Sequence, residues 1–220
     1  MVKWGGLKGY VDGSLGSTTA WFHQPYLDDP KSTGLTITDT TDLRNWVKGA
    51  DKAGLHVAVH AIGDRANDFI LSVYADAAKT NGNRDRRFRV EHAQHVRLAA
   101  IENFANQHVI ASMHPYHLVD DGIWAYKRLD TSRLKGTYAI KSMINRGVNV
   151  TFGSDWPVAP VDALFGIHAA VTRRTGDNKN PNGWYPDQKI SVDEALKSYT
   201  SNNAYASFME GKVGVLKAGY

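Results

Sequence analysis

The 220-residue chain has no cysteine. Disulfides and thiolate metal sites are therefore excluded, and any metal must be held by histidine, carboxylate or a modified lysine. No apolar run approaches the roughly 20 residues of a membrane-spanning helix. The first residues, Met1-Val2-Lys3-Trp4-Gly5-Gly6, lack the apolar core of a signal peptide. Compartment stays open, with the cytoplasm favoured and the periplasm the alternative if a signal peptide lies upstream. A nucleophile elbow is missing, because Gly13-Ser14-Leu15-Gly16 lacks the Gly-x-Ser-x-Gly spacing. So is a phosphate-binding loop, because Gly63-Asp64 runs into Arg65 with no Gly-Lys-Ser. Charge of one sign is also scarce: 26 basic residues face 22 acidic ones. The one dense run, Arg84-Asp85-Arg86-Arg87, reads as a solvated loop, so neither nucleic acid nor a membrane is expected as partner.

What is present is a soluble composition, 42% hydrophobic and 22% charged, in a length that suits one domain. The stretch Val57-Ala-Val-His60-Ala-Ile-Gly-Asp64 reads as a strand buried on both faces that exits into polar residues. A single histidine at such an exit is more often a hydrogen-bonded core residue than a ligand. Here the pattern recurs: Arg87 to His92 is a second strand ending in histidine, and Val148 to Asp155 a third ending in aspartate. Packing alone does not explain three such ends.

Further strands are expected at Leu7–Val11 and Val109–Met113, the latter running into His114-Pro115-Tyr116-His117. Lys8 within the first reads as an edge-strand lysine pointing to water. Helical spacing appears at Leu43, Trp46, Val47 and Ala50, with Asp39 or Thr40 as cap and Gly54 as stop. It recurs from Ala66 to Ala77, at Leu98, Ile101 and Phe104, at Ile140, Met143 and Ile144, and at Leu164, Ile167, His168 and Val171, where His168 reads as structural. Ser191-Val-Asp-Glu194 has capping-box spacing. The Trp21–Thr38 connection is long enough to fold over something, a substrate among the options, and Leu118–Lys135 reads as irregular.

Strands separated mostly by single helices specify an α/β protein with parallel strands. A doubly wound open sheet and a (β/α)₈ barrel both fit. The barrel explains more, since its loops would gather His60, His92, His117 and Asp155 at one mouth, yet only about five of eight strands are visible. Imidazole with carboxylate suits zinc and similar divalent ions, which lower the pKa of water towards about 7.

The strings Lys8-Gly-Tyr-Val-Asp12-Gly-Ser-Leu-Gly-Ser17, Val59-His60-Ala-Ile-Gly-Asp64-Arg-Ala66, Arg89-Val-Glu-His92-Ala-Gln94 and Phe152-Gly-Ser-Asp155-Trp-Pro-Val158 resemble the YtcJ-like, or amidohydrolase 3, branch of the amidohydrolase superfamily. That resemblance implies a partial TIM barrel, about its fourth to eighth strands, in a metal-dependent hydrolase of amide and other non-peptide carbon–nitrogen bonds. It also implies up to two divalent ions, zinc foremost, with Lys8 as a carboxylated bridging lysine, His60 and His92 as ligands of the second ion, and Asp155 as ligand of the first and general base. Lys8 then faces the pocket and not water. By the family's Gln-Pro-x-His string, His117 would touch substrate, with His114 standing in the place of the glutamine as a further candidate contact. Thr18 replaces a more usual arginine. The His-x-His pair of the family's first strand is not found in residues 1–220, which are accordingly expected to be the C-terminal part of a barrel without its N-terminal strands or β-sandwich. Expected consequences are at most one tightly bound ion, impaired activity and self-association through exposed barrel edges. The alternative is an inactive barrel fragment serving as an interaction module.

Overall fold

Runs of small and β-branched residues do form strands in the computed structural model, which describes residues 5–218. They are β1 Gly6–Tyr10, β2 His56–Ala61, β3 Arg89–His92, β4 Ile110–Met113 and β5 Val150–Phe152. All pair in parallel and lie side by side in chain order. A doubly wound sheet reverses its strand order at a switch point. This order never reverses, so the sheet is an arc of a (β/α)₈ barrel.

The register sorts the side chains onto two faces. Leu7, Val57, Val59, Val90, Ala111 and Val150 share one face, and it is packed against Leu43, Val47, Ile70, Val73, Phe104 and Met143 from the helices. Each buried valine there contributes about 1.5–3 kcal/mol. The opposite face carries Lys8, Tyr10, His60, Glu91 and Ser112, half-buried or exposed, together with the buried Ala58, Ile110 and Thr151.

The helix Thr40–Lys52 starts where Asp39 accepts hydrogen bonds from the Thr41 and Asp42 amides, a cap worth about 1 kcal/mol. Leu43, Val47 and Ala50 are its buried stripe, while Trp46 falls off that stripe and stays 52% exposed. The helix Asp64–Asn81 buries Ala66, Ile70, Val73, Tyr74 and Ala77 as the spacing anticipates. The capping box at Ser191 is formed.

Two segments differ from expectation. In the helix Ala163–Thr172 the buried residues are Gly166, Ala169 and Ala170, and Leu164 is exposed. A Cβ at Gly166 would lie 1.9 Å from the Tyr199 hydroxyl, so close helix packing selects the small residues and turns the larger ones outward. Leu118–Lys135 is not irregular; it holds short helical turns at His117–Asp121, Ala125–Lys127 and Thr131–Leu134. These carry a second apolar cluster of Leu118, Leu129, Leu134 and Tyr138 with Leu15, Phe22 and Tyr26. The Trp21–Thr38 connection folds over that cluster, held where Arg133 donates to the Gln24 and Pro25 carbonyls. Among the described residues no helix is long and apolar enough to cross a membrane.

Candidate metal centre

Strand exits converge on a cavity of about 590 Å³ lined by Lys8, His60, His92, His117, Asp121 and Asp155, with Tyr10, Trp124 and the Ser14–Gly16 turn at its rim. No residue of 21–38 lines it, so that connection is not a cover for this cavity.

His60 reaches the cavity by simple alternation along β2. Its Nε2–H donates to the Gly13 carbonyl at 2.9 Å, and that bond leaves Nδ1 with the free lone pair, as a second partner does for metal-binding imidazoles. Asp12 lies behind it, with Oδ1 3.6 Å from His60 Nε2. This carboxylate is buried and accepts the amides of Trp21 at 2.7 Å, Ile62 at 2.9 Å and Gly63 at 2.8 Å. Desolvation pushes its pKa up to about 7 against the pull of those three amides. Gly63 is needed where it stands, because a Cβ would meet the Trp21 carbonyl oxygen at 2.1 Å. Asn67 ties the exits of β2 and β3 together, its amide donating to the Gly63 carbonyl at 2.9 Å and the His95 carbonyl at 3.2 Å.

His92 arrives differently. Strict alternation would place it on the helix-covered face with Val90, but its φ of +74° breaks the alternation. The ring instead packs 4.5 Å from that of His60 and 4.6 Å from that of His114, centroid to centroid. Asp155, past the end of β5, also sits at positive φ, +60°. Histidine and aspartate tolerate this region better than most residues. Asp155 Oδ2 is 3.6 Å from His117 Nε2.

Possible ligand atoms of His92, His114 and Asp155 all lie within 4.8 Å of one another. Burial keeps these imidazoles neutral, the form that binds metal. The His92 pKa falls well below its usual value through desolvation, then through His114, His60 and His117. Burial also takes His117 down to about 4 and lowers His60 and His114. His114 Nδ1 and His117 Nε2 are buried without a hydrogen-bond partner. Neutral imidazoles with unsatisfied nitrogens beside a carboxylate form a donor set that fits a divalent cation.

Lys8 is an exposed residue on the open face, its Nζ 4.1 Å from the Tyr10 ring centroid. Desolvation by the surrounding walls lowers its pKa, with Glu91 and Asp155 opposing. His114 is 9% exposed and is not among the cavity's lining residues.

The amidohydrolase family profile matches residues 1–220. The chain belongs to the amidohydrolase family. Protein LONG AFTER FAR-RED 3 of Arabidopsis thaliana is 43% identical over 216 residues, 98% of this chain and 37% of the relative. Putative amidohydrolase YtcJ of Bacillus subtilis is 34% identical over 219 residues, 100% of this chain and 41% of the relative. A metal-dependent hydrolase of Pyrococcus horikoshii superposes with TM-score 0.86 at 32% identity, covering 98% of this chain and 42% of that one. This family member thus spans well under half the length of the proteins it resembles.

Sequence reasoning passed over two residues of this amidohydrolase-family site. Asp12 lay in plain view within the Lys8–Ser17 string, where it was given no role of its own. Asp121 gave no signal, since the segment Leu118–Lys135 that contains it read as irregular; it accepts hydrogen bonds from Gln94 at 2.8 Å and Tyr138 at 2.7 Å, and burial raises its pKa to about 6.

Proposed function

We propose that this chain supplies the metal- and substrate-binding face of a hydrolase that cleaves amide bonds other than ordinary peptides. The observation that carries the reading is the meeting of His92, His114 and Asp155 ligand atoms within 4.8 Å beside a cavity of substrate size. Membership of a family named for amide hydrolysis supports the bond type.

In this reading His92 and Asp155, with His60 and His114 beside them, would hold a divalent ion, zinc foremost, and Lys8 as a carbamate would be a further ligand. The lowered Lys8 pKa favours the neutral amine that adds carbon dioxide. When bound, the ion polarises a carbonyl and acidifies water. The Asp155 carboxylate accepts a proton from the attacking water as general base. His117, whose Nε2 lacks a partner and faces Asp155, contacts the substrate. The Gly13 carbonyl fixes the His60 tautomer, and Leu15 and Trp124 shield one side of the cavity from water.

The test is hydrolysis of N-acyl and N-formyl amines, followed by amine release, with zinc and bicarbonate supplied. His92→Asn keeps a residue that tolerates positive φ and is expected to lower turnover at least about 100-fold. Absence of turnover on every such substrate in the wild-type chain would overturn the reading in favour of an inactive barrel segment that acts as an interaction module.

A further inference from the structure

We infer that Asp121 selects the substrate, its carboxylate receiving a protonated amine carried on an alkyl arm of the amide. This rests on the hydrolase reading above and adds a substrate class to it: amides that bear a cationic nitrogen away from the bond that is cleaved.

Asp121 closes the helical turn His117–Asp121 that follows β4. It stands four residues after His117, so the two side chains share one face of that turn, and both line the cavity. Its Oδ2 is engaged twice, accepting from Gln94 Nε2 at 2.8 Å and from the Tyr138 hydroxyl at 2.7 Å. Both donors belong to buried residues, 4% and 1% exposed, so the carboxylate is held in one orientation before any ligand arrives. Oδ1 accepts from none of the described residues, yet it is not sealed off from solvent. It is therefore the oxygen that Asp121 presents to the cavity.

A purely structural clamp does not need this charge. The single oxygen of an asparagine amide accepts from two donors equally well, which leaves the second oxygen and the negative charge surplus to the fold. Among the described residues no cation balances it; the charged neighbour acting on Asp121 is Asp120, of like sign. A desolvated carboxylate with an open oxygen and no counter-ion is matched by a ligand that brings its own positive charge, and such a charge-assisted bond is roughly twice as strong as a neutral one. The adjoining walls suit methylene groups, with Leu15 and Ile62 buried and Trp124 half-buried on the same cavity. A site built around such an acceptor rejects an analogue lacking the donor, because the acceptor is then left unpaired.

The experiment measures binding to the metal-free 220-residue chain by calorimetry, so that no turnover intervenes, at about pH 8, above the raised pKa of Asp121 and below that of an alkylamine. The probes are N-(ω-aminobutyl)acetamide and N-pentylacetamide, which differ by an ammonium in place of a terminal methyl. The wild type is expected to bind the amine-bearing probe at least about 10-fold more tightly. In Asp121→Asn, which keeps an acceptor oxygen for Gln94 and Tyr138, the two affinities should come within about threefold of each other. Equal affinities in the wild type, no binding of either probe, or a preference that survives in Asp121→Asn would each overturn the inference, and turnover of neutral N-acyl amines would then leave the hydrolase reading standing. The expected preference with no turnover of any amide overturns the hydrolase reading and supports Asp121 as an amine-binding residue. Should Asp121→Asn fail to fold, a crystal of the wild type with N-(ω-aminobutyl)acetamide decides the matter: an ammonium within about 3.2 Å of Oδ1 supports the inference, and one seated elsewhere overturns it.

Discussion

Val90 and Glu91 are neighbours in β3 that belong to different halves of the molecule. Val90 points into the helix layer at 0% exposure. Glu91 points to the open face, paired with Arg89 at 2.9 Å. The same alternation runs along the sheet, so one face is a dry core and the other brings Lys8, His60, Glu91 and Ser112 towards the cavity. Stability and chemistry are thereby separated by a single residue step, and substitutions on the two faces should differ in kind.

The sharpest contrast comes from that pair. Val90→Asp buries an unpaired carboxylate, which costs several kcal/mol out of a total that is typically about 5–15; loss of the cooperative thermal transition by circular dichroism is expected. Glu91→Gln should shift stability by no more than about 1 kcal/mol, because its ion pair is partly solvated. Comparable melting of the two variants would erase the distinction between faces.

Asp12 stands between the two halves, since its carboxylate both closes the loop after β2 and backs His60. Asp12→Asn replaces one acceptor oxygen by a donor and leaves at least one of the Ile62, Gly63 and Trp21 amides unmatched. A loss of about 1–3 kcal/mol by urea unfolding is expected; no loss would show that the clamp is dispensable.

His95 sharpens the comparison through pH. It is buried away from the cavity, with Nδ1 2.8 Å from Thr137 Oγ1, and burial followed by Arg133 lowers its pKa from 6.5 to about 3. Between those values the unfolded chain binds a proton at this residue that the folded one does not, so stability is full above pH 6.5 and falls as pH drops towards 3. The slope from one such group is at most about 1.4 kcal/mol per pH unit. Chemical denaturation of His95→Gln at a series of pH values should show that slope reduced.

The smallest effect is expected at the edges. Among the described residues β1 and β5 each pair with one strand only, and an unpaired strand edge invites association. We expect concentration-dependent sedimentation, diminished by a proline at Leu7; a single monomer boundary at all concentrations would refute it.

Much of this was legible beforehand because each element announces itself locally. The expected strand Leu7–Val11 and the observed Gly6–Tyr10 differ by one residue at each end. Asp39 and Ser191 mark helix starts through hydrogen bonds that their own side chains make, and Gly54 marks a helix end through its φ of +74°. Other features depend on distant partners and left no local trace. Arg173 carries no mark that sets it apart from its neighbour Arg174, yet it is buried at 0% exposure and donates to the Trp184 carbonyl at 2.7 Å and the Tyr138 carbonyl at 3.0 Å. Trp46 and Leu164 have helical core spacing but face solvent, because what covers a helix is not written in its own periodicity.

From sequence alone came the parallel strand–helix alternation, the histidines and aspartate at three strand exits, and the motif strings shared with the amidohydrolases. These are consequences of period, burial and residue type within a few positions of each other. The tertiary structure decided which nitrogens and oxygens meet. A backbone turn at +74° swings His92 off the core face, and the parallel register sets His114 beside it. Ligand geometry is a matter of ångströms between atoms on separate strands, and only the folded sheet fixes distances of that kind.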